Sequence, residues 1–128
     1  MLHQLWYTLV SVEDAGLPTL HVRFYATAGG SEPVREWLLT LSRENRRLVG
    51  QDIKTAQYGW PLGMPLVRKI EPGLWEVRSD IAGDAARVLF TVEGPTMVLL
   101  HAFVKKTRKI PTYHLATARA RLTSLRER

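Results

Sequence analysis

Hydrophobic and polar side chains alternate singly from Leu20 to Thr27, with Leu20, Val22, Phe24 and Ala26 on one side and His21, Arg23, Tyr25 and Thr27 on the other. A period of two is that of a strand with one buried face. Gly29-Gly30 ends the run, Ser31 stands where a helix N-cap is expected, and Pro33 suits a first helical turn. Val34, Trp37, Leu38 and Leu41 then recur at i, i+3, i+4 and i+7, the apolar stripe of an amphipathic helix. Ser42 is placed to cap a second helix running to about Gln57, with Val49, Ile53 and Ala56 inward and Arg46, Arg47 and Lys54 outward.

Trp60-Pro61-Leu62-Gly63-Met64-Pro65 is rich in breakers, and after it the period changes from 3.6 to 2. Leu66–Ile70, Leu74–Asp80, Ala86–Glu93 and Met97–Val104 read as four strands separated by Glu71-Pro72-Gly73, Ile81-Ala82-Gly83-Asp84 and Gly94-Pro95. Consecutive strands with such short turns form an antiparallel meander. Met97–Leu100 is apolar on both faces, so its strand is expected to be central and covered on both sides. Ile110-Pro111-Thr112 starts a last helix with Leu115, Ala118, Leu122 and Leu125 on one stripe and Arg119, Arg121, Arg126 and Arg128 on the rest. The order is β-α-α-β-β-β-β-α. It predicts an α+β protein in which two N-terminal helices pack on a curved antiparallel sheet and a basic helix closes the chain. Residues 1–19 form an N-terminal extension in which Leu5–Val12 is a candidate extra strand, pairing with Leu20–Thr27 through the Glu13–Pro18 turn.

The length of 128 residues is that of a single domain, 1–128. No apolar run approaches the roughly 18–20 residues that span a bilayer, and Met1–Val10, without Lys or Arg, does not resemble a signal peptide. The absence of cysteine excludes disulfides, thiolate metal sites and a cysteine nucleophile. A cytoplasmic protein is the simplest expectation. The net charge of +6 is unevenly placed: residues 1–64 are neutral overall, whereas residues 65–128 carry twelve basic and six acidic side chains. Such an asymmetry points to a polyanionic partner, nucleic acid or an acidic protein, rather than to a membrane surface.

Several chemistries fail for want of parts. The chain has no phosphate-binding glycine loop of either common type and no G-x-S-x-G elbow. His3, His21, His101 and His114 lack metal-ligand spacing, so no metal or cofactor is expected. Glu76, Asp80 and Asp84 stand among arginines and read as ion-pair partners more than as a hydrolytic carboxylate pair. The basic residues of the meander are better candidates. A near-symmetric turn at Ala82-Gly83 sets Arg78 opposite Arg87, and like charges directly opposite are destabilising unless an anion lies between them. The next strand brings Lys105 and Lys106 alongside, with Lys69 at the rim. The facing of each residue stays open here, because a slip of one residue reverses every side chain. Guanidinium forks in such a cluster can hold an RNA backbone and stabilise a phosphorane-like transition state. A rim of surface arginines paired with Glu76 and Asp84 is the structural alternative.

Leu74-Trp75-Glu76-Val77-Arg78, then Arg87-Val88-Leu89-Phe90, then Leu99-Leu100-His101-Ala102-Phe103-Val104-Lys105-Lys106-Thr107-Arg108-Lys109-Ile110-Pro111 resembles the phage-derived, HigB-like branch of the RelE/ParE toxin superfamily. The similarity runs from about His21 to Leu125 and implies a RelE-like fold. It implies the toxin of a type II toxin–antitoxin pair, a metal-independent mRNA interferase that cuts mRNA in the ribosomal 30S A site. There the 2′-OH of one nucleotide attacks the adjacent phosphate. By position, Arg87, Arg78, Lys106 and Tyr113 fall where that superfamily keeps catalytic groups, with Tyr113 matching a tyrosine that stacks on or orients RNA. Arg68, Lys69, Lys105, Arg108 and Lys109 are the expected RNA-binding residues. Glu76 stands where RelE carries a lysine, which leaves the base unidentified, with His101 a candidate if it faces the site. The resemblance also implies a helix-turn-helix antitoxin of the XRE/HigA type, assembling with the toxin as a heterotetramer or higher. Arg87→Ala is expected to abolish growth inhibition while leaving the protein folded. Two other readings remain: a ParE-like toxin that inhibits DNA gyrase without cutting RNA, and a non-enzymatic nucleic-acid-binding module. Against the latter, Trp6, Trp37, Trp60 and Trp75 are not strung along one strand as stacking platforms.

Overall fold

The computed structural model describes residues 19–128. The candidate strand Leu5–Val12 lies outside them. The elements are β1 (His21–Phe24), α1 (Pro33–Thr40), α2 (Arg43–Gly59), β2 (Val67–Glu71), β3 (Leu74–Ile81), β4 (Asp84–Glu93), β5 (Thr96–Lys105) and α3 (Thr112–Arg126). This is the expected order, in a mixed α+β architecture.

The sheet runs β1-β5-β4-β3-β2. The last four strands form the expected antiparallel meander, but β1 pairs with β5 in parallel, His21 opposite Thr96 and Phe24 opposite Leu99. The sheet is therefore mixed, not wholly antiparallel. The reason lies in the connection: a hairpin must reverse direction, whereas β1 leaves through α1 and α2 and re-enters the sheet at its far edge. β5 ends between β1 and β4, and Met97, Val98, Leu99 and Leu100 are all buried, as an apolar run on both faces requires.

Two cores result, one on each face. Val34 and Leu38 of α1 and Val49, Ile53 and Ala56 of α2 pack on Val77, Ile81, Ala86, Val88, Phe90, Met97 and Leu99. Trp60 closes this core with edge contacts to Trp75 and Phe90 at 5.1 and 5.7 Å. On the other face Ala118, Leu122 and Leu125 of α3 cover Leu74, Leu89, Val98, Leu100 and Phe103.

The helix starts follow capping chemistry with one difference. Ser42 accepts from the Asn45 amide at 3.1 Å, as expected. Ser31 does not cap α1: it is bonded to Thr27, and Glu32 takes the cap position without a side-chain bond, its own amide donating to Glu36 Oε2 at 3.2 Å. Lys54, expected outside, is buried with its ammonium over the Tyr58 ring, a placement its long aliphatic stem permits.

Candidate functional site

The site begins at the β3–β4 turn. Ala82 and Gly83 both have positive φ, 45° and 85°, the conformation of a two-residue hairpin whose twist matches its strands. That turn fixes Ile81 opposite Asp84 and Arg78 opposite Arg87, the pairing expected from the sequence. Val77, Ile81, Ala86, Val88 and Phe90 face α1 and α2, so by alternation Glu76, Arg78 and Arg87 face the α3 side. On β5, Phe103 stands opposite Arg87 and Lys105 follows on the same face. Arg68 of β2 stands opposite Glu76.

Four cations thus share a face with two carboxylates, Glu76 and Asp80. Glu76 is 1% exposed and is held by Arg68 Nε at 3.2 Å and Arg87 Nε at 3.7 Å. Arg87 is 5% exposed and donates from Nη1 to the Ala86 carbonyl at 2.9 Å. Glu76 Oε2 and Arg87 Nε are buried without a hydrogen-bond partner among the described residues. Burial pushes the Arg87 guanidinium below its ordinary range, Glu76 opposes this, and Arg78 adds to it. Burial lowers Lys105 as well, reinforced by Arg87. An anion set among these groups relieves that repulsion. Arg78 and Arg87, with Asp52, Asp80, Pro65 and Leu66, line a cleft of about 390 Å³ at the edge where β2 stops. Within it burial raises the Asp52 carboxyl, while the Ser79 hydroxyl, donating at 2.6 Å, draws it back down.

The burial of Arg87 against Glu76 changes the expectation for Arg87→Ala. Removing one partner of a buried pair leaves the other charge uncompensated, so that variant is expected to lose stability whatever its effect on growth inhibition.

Other expected residues are dispersed. Lys106 is exposed and pairs with Asp84 at 3.4 Å, on the opposite side of β5 from Lys105. Lys69 faces the α2 side, in a groove with Trp60, Val67 and Trp75. Arg108 and Lys109 lie in the exposed segment before α3. Tyr113, 66% exposed, opens α3 with its ring 4.1 Å from that of His114. The arginines of α3 are engaged within the molecule: Arg119 with Glu71, Arg126 with Glu93, and Arg128 with the Ala26 carbonyl.

His101 is placed by a bulge. Leu89 is opposite His101 but Phe90 is opposite Leu99, so β5 holds one extra residue, Leu100, against β4. Leu100 and His101 therefore both turn toward α3. Arg121 Nη1 donates to the Leu100 carbonyl at 2.8 Å and lies 3.2 Å from His101 Nδ1. His101 Nε2 lies 2.7 Å from His114 Nδ1. Burial, with Arg121 and then His114, holds His101 down at about 4. Both its ring nitrogens are engaged within the protein, which leaves none to act as a base. His114 itself, lowered by burial, stacks on Phe103 at 3.9 Å with the rings 8° from parallel. No sequence signal pointed to His114 or to Arg121 turning inward, because the bulge that aims their partner His101 lies within an apolar run.

Among the described residues no group of three histidine, aspartate or glutamate side chains is placed to hold a metal, and no helix is long and apolar enough to cross a membrane. A family model described as Phage derived protein Gp49-like (DUF891) matches residues 36–123, a stretch that contains every residue of the site. No curated protein matches the chain.

Proposed function

The chain belongs to the Gp49-like family of phage-derived proteins, a RelE/HigB-like toxin family, and from that premise we propose that it cleaves mRNA on the ribosome as the toxin of a type II toxin–antitoxin pair. A toxin family implies an antitoxin partner, for which we propose a helix-turn-helix protein. The observation that carries the reading is the cross-strand pair Arg78–Arg87 with Lys105 on the same face and Glu76 and Asp80 to offset them. Paired like charges lining one cleft fit a phosphate between them.

In the proposed reaction the 2′-oxygen attacks the adjacent phosphorus, its proton passes to solvent water, and the bond to the 5′-oxygen breaks. The products are a 2′,3′-cyclic phosphate and a 5′-hydroxyl. The phosphorane-like transition state carries more charge on its equatorial oxygens than the substrate. Arg87, fixed by Glu76 and by the Ala86 carbonyl, and Arg78 are preorganised for those oxygens. Lys105, whose proton is loosened by burial and by Arg87, is the group best suited to protonate the leaving 5′-oxygen. The role that alignment alone gives Lys106 thus passes to its neighbour, which faces the cluster. Arg68 holds Glu76 from the second side, and Tyr113 offers a stacking surface for a base.

Primer extension on a model mRNA, with and without programmed ribosomes, tests this reading. Cleavage only with ribosomes, lost in Lys105→Ala and kept in Lys106→Ala, is the expected result. Cleavage of free RNA would remove the ribosome from the reading. Absence of cleavage by a protein that still arrests growth would favour a non-nuclease toxin acting on gyrase.

A further inference from the structure

We infer that His114 is a substrate-contacting residue of this site: a neutral imidazole that donates from Nε2 to a phosphate oxygen of the bound RNA, kept in that form by His101 and Arg121. The inference rests on the RNA-cleaving reading above and adds to it a residue and a protonation state.

One chain of hydrogen bonds runs from Arg121 outward through His101 to His114. A guanidinium only donates, so Arg121 Nη1, 3.2 Å from His101 Nδ1, requires that nitrogen to be bare. Neutral His101 then carries its proton on Nε2 and donates it to His114 Nδ1 at 2.7 Å. His114, accepting at Nδ1, carries its own proton on Nε2. Protonating His114 further would set two N–H groups against each other at that distance, and His101 cannot change tautomer without opposing Arg121. The two histidines are thus held neutral, and His114 is a donor by construction.

Its position makes that donor useful. Phe103 is opposite Arg87, which is opposite Arg78, so these three residues form a row across β5, β4 and β3. The His114 ring lies flat on Phe103 at the end of the row, next to Lys105 on the same strand. His114 is partly buried, and its Nε2 has no hydrogen-bond partner among the described residues. The charged and titratable groups around it are His101 and Lys105 on β5, Tyr113 on its own helix, and Arg121 behind His101. A neutral imidazole with Nδ1 occupied cannot take the 2′-OH proton. What it supplies is direction, a fixed N–H beside guanidinium and ammonium groups that supply charge.

Nitrogen-15 NMR of the free protein and single-turnover cleavage on programmed ribosomes test it together. Both histidines are expected neutral and protonated on Nε2 from pH 6 to 8. An imidazolium, or an Nδ1–H tautomer, at His114 at neutral pH overturns the inference. His114→Ala is expected to slow cleavage about 10²-fold, the loss typical of one preorganised donor. His114→Gln, whose amide also donates, is expected to recover part of it. His101→Leu frees Nδ1 of His114 to take a second proton, and a new ionisation is expected to enter the rate profile. Full activity of folded His114→Ala, with an active wild type, overturns this inference alone. A wild type that never cleaves overturns the RNA-cleaving reading as well.

Discussion

The two faces of the sheet follow different rules. Toward α1 and α2 the strands present Val77, Ile81, Ala86, Val88 and Phe90 in unbroken alternation, and the helices answer with Val34, Leu38, Val49 and Ile53. Toward α3 the ladder slips at Leu89/Phe90, the helix covers only part of the sheet, and Glu76 and Arg87 are buried as charges. Local rules agree with one another on the first face and conflict on the second, and such conflict collects where chemistry is done. One face holds the fold, and the other uses that rigidity to keep like charges together.

One substitution on each face separates the two roles. Phe90→Ala removes a fully buried ring and is expected to cost about 3–5 kcal/mol, with the folded fraction still toxic. Arg87→Ala strands Glu76, and breaking a buried pair costs about 3–5 kcal/mol; because Arg68 stays on Glu76, the low end is expected. Replacing both members, Arg87→Met with Glu76→Leu, is expected to restore stability while leaving the protein inactive. Urea titration read beside growth arrest separates the two kinds of loss. A toxic double variant would remove Arg87 from the chemistry.

Next in size is the contrast between adjacent lysines. Lys105→Ala is expected to lower cleavage by about 10²–10³, equivalent to about 2.7–4 kcal/mol. Lys106→Ala breaks only an exposed pair with Asp84, worth at most about 1 kcal/mol, and is expected to change the rate little. Equal losses in the two variants would mean that the strand presents both side chains to RNA.

That contrast shows what the sequence could and could not disclose. Element order, the inward stripes of α1 and α2, the Ser42 cap and the Arg78–Arg87 pairing were legible, because each depends on a period or a turn a few residues long. The parallel β1–β5 pairing was not, since nothing local states where a strand re-enters a sheet. Nor was the facing of Lys105 against Lys106, or of His101. One extra residue at Leu100 reverses the alternation beyond it, and an apolar run on both faces hides where it lies. Arg121 and Arg128 read as a solvated surface because their partners, the Leu100 and Ala26 carbonyls, are backbone atoms that no residue pattern marks.

A smaller effect sharpens the difference through pH. On the α3 face His101 is held at about 4 against an ordinary 6.5. The unfolded chain therefore binds a proton as pH falls through 6.5, whereas the native state refuses it until about 4. Stability contributed by the neutral ring is complete above 6.5 and lost between those values, with His114, lowered in the same direction, adding to the loss. With solvent screening of a half-buried group, the expected loss is about 1–2 kcal/mol. Arg121→Met removes the second cause of the shift and is expected to flatten the profile, measured as urea midpoints from pH 7 to 4. Phe90→Val on the other face lowers stability by a similar amount at every pH and leaves the shape of the profile unchanged.

The smallest effect marks where the α3 face ends as a binding surface. Arg108 and Lys109 lie in the exposed segment beyond β5, outside the buried cluster. If they meet RNA, they do so as counterion-releasing contacts, not as groups that sense the transition state. Each substitution to alanine is then expected to reduce the logarithmic salt dependence of RNA or ribosome binding by about 0.7–0.9, uniformly across sequences. The single-turnover rate at saturation stays as it was. Lys105→Ala gives the opposite pattern, a slow step that saturation does not rescue. An unchanged salt slope in Arg108→Ala and Lys109→Ala would draw the edge of the interface at Lys105, and the basic excess of the second half would then serve the buried cluster alone.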